Sequence, residues 1–163
     1  MHIKKLLQKF RSRIWTLRHL RRSGVSQSDL LYVYQSVLRP VLDFAAPVYH
    51  PLLNLGQRQQ LEQLQRKCLR IIYGPELSYE DNLKISNMQT LEERREELLL
   101  NFALKTQKNE RFSDDWFPTR TDSNYPLRNR RNFIEVKART ERQKKNPVFY
   151  MRKALNNYFA KLA

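Results

Sequence analysis

Apolar residues recur at intervals of three and four positions along most of this chain, which is the periodicity of amphipathic α-helices. The first such segment covers positions 2 to 22, and its apolar stripe consists of Ile3, Leu7, Phe10, Ile14 and Leu17. Gly24 follows the segment, where a helix commonly ends on a residue with a positive φ angle that glycine adopts readily. The pattern therefore predicts a first helix over positions 2 to 22.

A second helix is predicted from a capping signal and a break signal. Ser26 and Asp29 have the spacing of a capping box, with Asp in the place of the usual Glu. Pro40 lacks an amide hydrogen and clashes with the preceding turn, so it should kink or end this helix. Positions 41 to 49 are almost wholly apolar, and we expect them to be buried.

Three further helices are predicted by the same kind of signal. Their start signals are Asn54, Ser78 with Asp81, and Thr90 with Glu93. The third helix, over about positions 55 to 73, should end at the Gly74-Pro75 pair, because proline cannot continue a helix and glycine favours its end. The fourth helix is short, and the fifth should extend to about position 106.

The periodicity weakens from position 108 onward. Trp116-Phe117-Pro118 and Tyr125-Pro126 indicate an extended connector, and positions 128 to 145 are polar and basic. Apolar periodicity returns over about positions 147 to 162, where Pro147 fits the first turn of a helix. The sequence therefore predicts a connector followed by a C-terminal helix.

These elements together predict an all-α fold. No stretch shows the strict alternation of a half-buried strand, and the chain has only 3 glycines, which argues against the tight turns of hairpin-rich architecture. We expect a helical bundle over residues 1–107, an extended and loosely ordered basic connector over 108–146, and a C-terminal helix over 147–163.

Charge indicates the class of partner. Lys and Arg number 31 and Asp and Glu 16, so the chain of 163 residues carries a formal net charge of +15. Such an excess implies a polyanion as partner, most often nucleic acid and less often an acidic membrane surface. The single cysteine excludes an internal disulfide framework and indicates a reducing, intracellular compartment, nucleus or cytoplasm. No apolar run approaches the roughly 18 residues that span a bilayer, so we expect no membrane insertion.

Basic side chains concentrate in three regions that are candidates for nucleic-acid binding. An exposed aromatic between arginines can stack on a base, although Trp15 can equally pack on a neighbour while the arginines remain solvated. The candidates are Lys4, Lys5, Lys9, Arg11, Arg13, Trp15, Arg18 and Arg22 in the first helix, Arg66, Lys67 and Arg70 in the third, and Arg139, Arg142, Lys144 and Lys145 near the C-terminus.

Catalytic and metal chemistry has weaker signals. Phe112-Ser113-Asp114-Asp115 matches the aromatic-X-Asp-Asp pattern whose aspartates hold two metal ions in reverse transcriptases. That chemistry requires a tight hairpin and a third carboxylate, whereas the flanks here are a helix end and Trp-Phe-Pro, so we interpret the match as coincidental. His2, His19 and His50 are scattered and no pair has ligand spacing with Cys68. We therefore predict no catalytic residue, no metal site and no cofactor.

The order of segments from Val25 to Tyr73 resembles the region that follows the catalytic palm in LINE-type (non-LTR) retrotransposon reverse transcriptases. One matching string, over positions 61 to 74, is Leu-Glu-Gln-Leu-Gln-Arg-Lys-Cys-Leu-Arg-Ile-Ile-Tyr-Gly. Further matching stretches lie at 17–26, 30–50, 91–98, 111–118, 139–147 and 155–156, so the resemblance covers nearly the whole chain. No single motif is decisive, but their order and spacing are fairly specific.

The resemblance implies a thumb, the helical element that grips the template–primer duplex, together with the segment after it. In that family the two-metal active site lies upstream, so the resemblance implies that this chain is a fragment that does not polymerise DNA by itself. Its expected partners are an RNA or RNA–DNA duplex, bound without sequence preference, and the upstream palm domain. Two alternatives stay open: a free-standing helical protein-interaction module derived from a retroelement, and a non-functional remnant.

Overall fold

A computed structural model describes residues 2–119, 132–135 and 139–162, apart from the side chains of His2 and Arg142. Within these ranges the chain is predominantly helical, and its β structure is limited to one isolated antiparallel bridge between Thr119 and Phe133. The all-α prediction is therefore confirmed.

Ten α-helices lie within the described ranges, and the six predicted helices are among them. They are α1 His2–Arg22, α2 Gln27–Val33, α3 Arg39–Asp43, α4 Ala46–Tyr49, α5 Leu55–Tyr73, α6 Tyr79–Ile85, α7 Leu91–Gln107, α8 Glu110–Trp116, α9 Glu141–Lys144 and α10 Pro147–Ala160. A π-helical segment, Tyr34–Leu38, joins α2 to α3, and a 3₁₀ turn, His50–Leu52, follows α4.

The capping residues identified in the sequence lie at the starts of the helices that they predict. The Asn54 side chain accepts a hydrogen bond from the Gln57 amide at 2.8 Å, and the Asn54 amide donates to the Gln57 side chain at 3.1 Å. The side chains of Ser26 and Ser78 likewise accept hydrogen bonds from the backbone amides of Asp29 and Asp81. Such bonds satisfy amide groups that the first turn of a helix leaves without a partner. Gly24 ends α1 with a φ angle of +81°, as expected.

Pro40 is accommodated by a widened helical turn. The Arg39 amide donates to the carbonyl oxygen of Tyr34, five residues back, which is the π-helical hydrogen bond. Pro40 then occupies the first turn of α3. Amide groups in the first turn of a helix have no intrahelical acceptor, so proline loses no helical hydrogen bond there. The helical path therefore continues beyond Pro40 to Asp43.

The prediction that positions 41 to 49 are buried throughout is wrong. Leu42, Ala46 and Tyr49 are buried, but Phe44 is 73% exposed and Val48 is 52% exposed. Ala45 adopts a positive φ of 57° between α3 and α4. In a helix, successive side chains point in different directions around the helix axis. An apolar run in helical conformation therefore cannot direct every side chain inward.

The described chain forms two compact units. The first contains Met1–Ala45 and Leu53–Arg95, and the second contains Ala46–Leu52 and Glu96–Ala163. This division differs from the expected boundary at residue 107, because Leu99 and Ala103 of α7 belong to the same buried cluster as Met151 and Leu155 of α10.

In the first unit, the apolar stripe of α1 packs against α5 and against the helical stretch from α2 to α3. Phe10 and Leu17 of α1 are fully buried, as are Leu61 and Cys68 of α5. Burying side chains of this size contributes about 1.5–3 kcal/mol each. Packing of the amphipathic faces therefore stabilises this unit, as the periodicity predicts.

A buried amide connects the elements of the first unit. The Tyr34 hydroxyl donates to Gln65 Oε1 at 2.8 Å, and Gln65 Nε2 donates to the Gln89 carbonyl oxygen at 3.0 Å and to the Tyr79 hydroxyl at 3.1 Å. The Tyr79 hydroxyl in turn donates to Glu62. Burial raises the pKa of Tyr34 well above its ordinary value, so its hydroxyl remains protonated and continues to donate.

The second unit is organised around α10. Its apolar cluster contains Leu99, Ala103, Phe117, Phe133, Met151 and Leu155. The Asn156 side chain accepts from the Phe133 amide at 2.9 Å and donates to the Phe133 carbonyl oxygen at 3.1 Å. Arg152 donates to the carbonyl oxygens of Trp116 and Asp115. These bonds supply partners for the backbone of Phe133 and for carbonyl oxygens in the last turn of α8, which have no intrahelical donor.

Where the structure describes positions 108–146, the expected extended connector contains two helices. Asn109 caps α8, which covers Glu110–Trp116, and Thr140 caps α9, which covers Glu141–Lys144. Local capping and the burial of Phe117 therefore outweigh the weak periodicity. Tyr125-Pro126 and the predicted looseness of positions 120–131 lie outside the described residues.

Replacing Tyr34 by Phe should destabilise the first unit. The change removes the hydroxyl donor and leaves the buried Gln65 Oε1 without it, so we expect the free energy of unfolding to fall by about 1–3 kcal/mol. Chemical denaturation followed by circular dichroism measures it. Tyr32→Phe is the matched control, because Tyr32 is 70% exposed and should change stability by less than about 0.5 kcal/mol. Equal stability of the two variants would contradict a structural role for the Gln65 network.

Candidate nucleic-acid interface

The predicted cations of α1 lie on two different faces of the helix. One face, called the outer face below, consists of side chains that are all exposed: Lys4, Arg11, Trp15, Arg18 and Arg22. The other set, Lys5, Lys9 and Arg13, lines a groove beside the π-helical segment. The two sets separate because residues four apart stay on one side of a helix, whereas adjacent residues diverge by about 100°.

The outer face carries positive charge that no neighbouring acid neutralises. Helix α1 contains no Asp or Glu. Within the part of the chain that the structure describes, none of the outer-face cations forms an ion pair with a carboxylate. By contrast, Arg58 is paired with Glu92 at 2.6 Å. The outer face can therefore attract phosphate groups without first losing an internal ion pair.

Trp15 lies in the middle of this face and is 65% exposed. Its indole stacks on the His19 imidazole with ring centroids 5.1 Å apart and an interplanar angle of 13°. Both alternatives for Trp15 stay open, since the indole packs on the neighbouring His19 while 65% of the residue is exposed. A large exposed aromatic ring among arginines is a surface on which an unpaired base can stack.

The basic residues of α5 form a second exposed patch in the same unit. Arg66, Lys67 and Arg70 are exposed, and the Arg66 guanidinium lies over the Tyr79 ring, 4.9 Å from its centroid. Burial raises the pKa of the neighbouring Cys68 thiol to about 12, while Lys67 and Arg18 act in the opposite direction. These exposed cations add to the positive charge of the first unit.

The C-terminal basic residues belong to the second unit. Arg139, Lys144 and Lys145 are exposed, and Lys144 Nζ lies 2.6 Å from Glu141 Oε1. Hydrogen bonding to Lys144 and its charge hold the pKa of Glu141 below its ordinary value. The Arg142 side chain lies outside the described atoms. Part of the positive charge of α9 is therefore neutralised locally.

One charged cluster was missed by the sequence analysis. The Nε atoms of Arg39 and Arg94 lie 3.9 and 3.5 Å from Asp43 Oδ2. Burial raises the pKa of the Asp43 carboxyl, and the two guanidinium groups oppose that shift. The Arg39–Asp43 spacing of four residues is a helical ion-pair signal, but only the fold brings Arg94 to the same carboxylate.

The aromatic-X-Asp-Asp string lies on a helix. Phe112, Asp114 and Asp115 all belong to α8, and both aspartates are exposed. The motif requires a hairpin between strands, so its local geometry differs here. Among the described residues, no group of three or more His, Cys, Asp or Glu side chains is placed to hold a metal ion.

Comparisons of this chain with protein-family models, with curated proteins and with solved structures return no match. The resemblance to retrotransposon reverse transcriptases therefore stays a prediction. None of the helices in the described ranges has the length and apolar character needed to cross a membrane.

Cys68 should be unreactive in the native protein. Its side chain is fully buried and the pKa of its thiol is about 12, so at pH 8 only about one molecule in ten thousand carries the reactive thiolate. We expect a disulfide reagent such as dithionitrobenzoate to modify the thiol at pH 8 only after denaturation. The denatured chain, with its 1 cysteine, supplies the control for full reaction, and prompt modification of native protein would show that Cys68 is accessible.

Proposed function

We propose that this chain binds nucleic acid without sequence specificity, and that the outer face of α1 is its principal contact surface. One observation carries the proposal: a row of exposed cations, which form no ion pair among the described residues, surrounds an exposed aromatic ring on one side of α1. Cations of this kind contact phosphates, and their binding releases the counterions condensed on the nucleic acid. The net charge of +15 also increases the rate of encounter with a polyanion.

The mechanism is electrostatic and depends on shape. Arg11, Arg18 and Arg22 occupy one side of α1 at helical spacing, so they can reach successive phosphates along a backbone. Lys67 of α5 is a further exposed cation in the same unit. Phosphate contacts fix orientation and carry no base information. Binding is therefore expected to depend strongly on salt and weakly on sequence.

We further propose that the chain is the thumb and following segment of a retroelement reverse transcriptase. The resemblance of the sequence supports this, and an all-α fold with correctly capped helices is the structural class that a thumb requires. In this proposal the template–primer duplex is the ligand and the palm domain is supplied by sequence upstream. Catalysis then belongs to the longer protein.

Changing Arg11, Arg18 and Arg22 together to Glu should weaken nucleic-acid binding. In wild-type protein, we expect the logarithm of the affinity for an RNA–DNA duplex to fall linearly with the logarithm of salt concentration. The triple variant should lose at least about tenfold in affinity and lower the magnitude of that slope by about 2 to 3, since each lost phosphate contact removes about 0.7 to 0.9. Fluorescence anisotropy over a salt series measures both quantities.

The matched control changes Lys108, Arg111 and Lys153 to Glu. These residues are exposed and lie outside the candidate surfaces, so the control alters net charge equally without touching the outer face. We expect the control to bind within about threefold of wild type, because it keeps every phosphate contact of the outer face. Salt-independent binding, or equal losses in both variants, would contradict the proposed surface.

Replacing Trp15 by Ala should separate stacking from phosphate contact. An unpaired base can stack on an exposed indole, and such contacts contribute about 1–3 kcal/mol per base. We expect Trp15→Ala to weaken binding of single-stranded RNA by about tenfold, and binding of a blunt duplex by much less. Quenching of tryptophan fluorescence during titration provides an independent measurement. Equal effects on both ligands would assign Trp15 a role in packing with His19 instead.

A further inference from the structure

An apolar groove lies between α1 and the helical stretch that runs from the π-helical segment into α3. Its volume is about 590 Å³, and its apolar lining consists of Leu6, Val37, Pro40, Val41 and Phe44. Phe44 is 73% exposed and Val37 is 51% exposed, although apolar side chains are stabilised by leaving water. A partner that covers Val37 and Phe44 would therefore gain free energy from their burial.

Cations border the same groove at regular intervals. Lys5, Lys9 and Arg13 line it from α1, and their spacing of four residues places them about 6 Å apart in a row about 12 Å long. Arg13 also donates from Nη1 to the Val37 carbonyl oxygen at 3.2 Å, which fixes one end of the row against the π-helical segment. Among the described residues that line the groove, none is acidic.

We propose that this groove binds an amphipathic α-helix of a partner protein, with acidic side chains at four-residue intervals along one edge of an apolar stripe. Such a helix repeats its charges at the same interval of about 6 Å as the row on α1. Its apolar stripe would cover Phe44 and Val37, as in other complexes that place a helix in a groove. This inference is independent of the proposed nucleic-acid binding.

Charge and lining distinguish this occupant from others. Phosphates alone are disfavoured, because they could pair with Lys5, Lys9 and Arg13 but would leave the apolar lining in water. A second copy of this chain is disfavoured, since each copy carries a net charge of +15. A fatty acid or single lipid headgroup would place one anion against a row about 12 Å long, leaving cations beside apolar groups without a counter-charge.

The π-helical segment supports the same assignment. Ser36 and Val37 of this segment both line the groove. A π turn interrupts the regular helix and occurs frequently at functional sites. Here its Val37 side chain is exposed in the groove, while its Val37 carbonyl oxygen holds Arg13.

The probe is a synthetic fluorescein-labelled helical peptide of about five turns, with leucines on one face and glutamates at four-residue intervals beside them. A scrambled peptide of identical composition is the control for charge attraction alone. In fluorescence anisotropy at physiological salt, we expect the amphipathic peptide to bind at least about tenfold more tightly than the scrambled one, since only the former can cover the apolar lining.

Two pairs of variants locate the binding. Phe44→Asp should weaken peptide binding about tenfold or more, whereas Tyr32→Asp should change it by less than about twofold, because Tyr32 is 70% exposed and does not line the groove. Changing Lys5 and Lys9 to Glu should weaken peptide binding more than changing Arg11 and Arg18 to Glu. Nucleic-acid affinity should show the reverse order for the two charge pairs, so the two proposals can fail separately.

Three results would overturn the inference. Equal binding of the scrambled peptide, or unchanged binding by Phe44→Asp with its helical circular dichroism retained, would remove the groove as a helix site. A concentration-dependent dimer in sedimentation that Phe44→Asp abolishes would assign the groove to a second copy. Binding of a fluorescent fatty acid to wild type but not to Phe44→Asp, together with no peptide binding, would assign the groove to a lipid.

Discussion

The first unit depends on burying one side of α1 against α5 while α1 carries charge over the rest of its surface. Phe10 and Leu17 are fully removed from water, and this burial fixes the rotation of α1 about its axis. Once the rotation is fixed, Arg11, Arg18 and Arg22 must point to solvent, because helical spacing places them away from the stripe. The same packing directs Lys5, Lys9 and Arg13 into the groove. One apolar interface therefore determines both charged surfaces.

Polar groups inside this unit make the arrangement specific. Apolar packing alone tolerates shifts between helices, but the Gln65 amide has to meet Tyr34, Tyr79 and the Gln89 carbonyl at once. A buried polar network of this kind is stable only when its members have partners. It connects α5 to the π-helical segment, to α6 and to the turn before α7. The groove and the outer face consequently lie on a framework held by directional bonds.

The two surfaces of α1 differ in the ligands that they fit. The outer face is polar, exposed and rich in arginine around one tryptophan, which suits a flexible or duplex polyanion whose phosphates stay partly hydrated. The groove combines the same positive sign with an apolar lining, which suits a partner that is acidic and apolar together. Under the two proposals, a single basic helix would serve both ligands. Such an arrangement would allow the chain to bind nucleic acid and a protein at the same time.

The sequence by itself determined the starts of α1, α2, α5, α6, α7 and α10, the all-α class and the apolar stripes. Caps such as Asn54 with Gln57 act within four residues, so they can be identified without a fold. The division of the α1 cations into two surfaces was decided only by the tertiary structure, because it depends on which elements cover which side of the helix. The same is true of Gln65 and of Arg94 beside Asp43, whose partners lie far apart in the chain.

Phe44 shows the limit most clearly: its apolar character predicted burial, but the Ala45 turn and the widened path past Pro40 leave it in solvent. Local signals specify the elements, whereas exposure and surface chemistry depend on long-range packing.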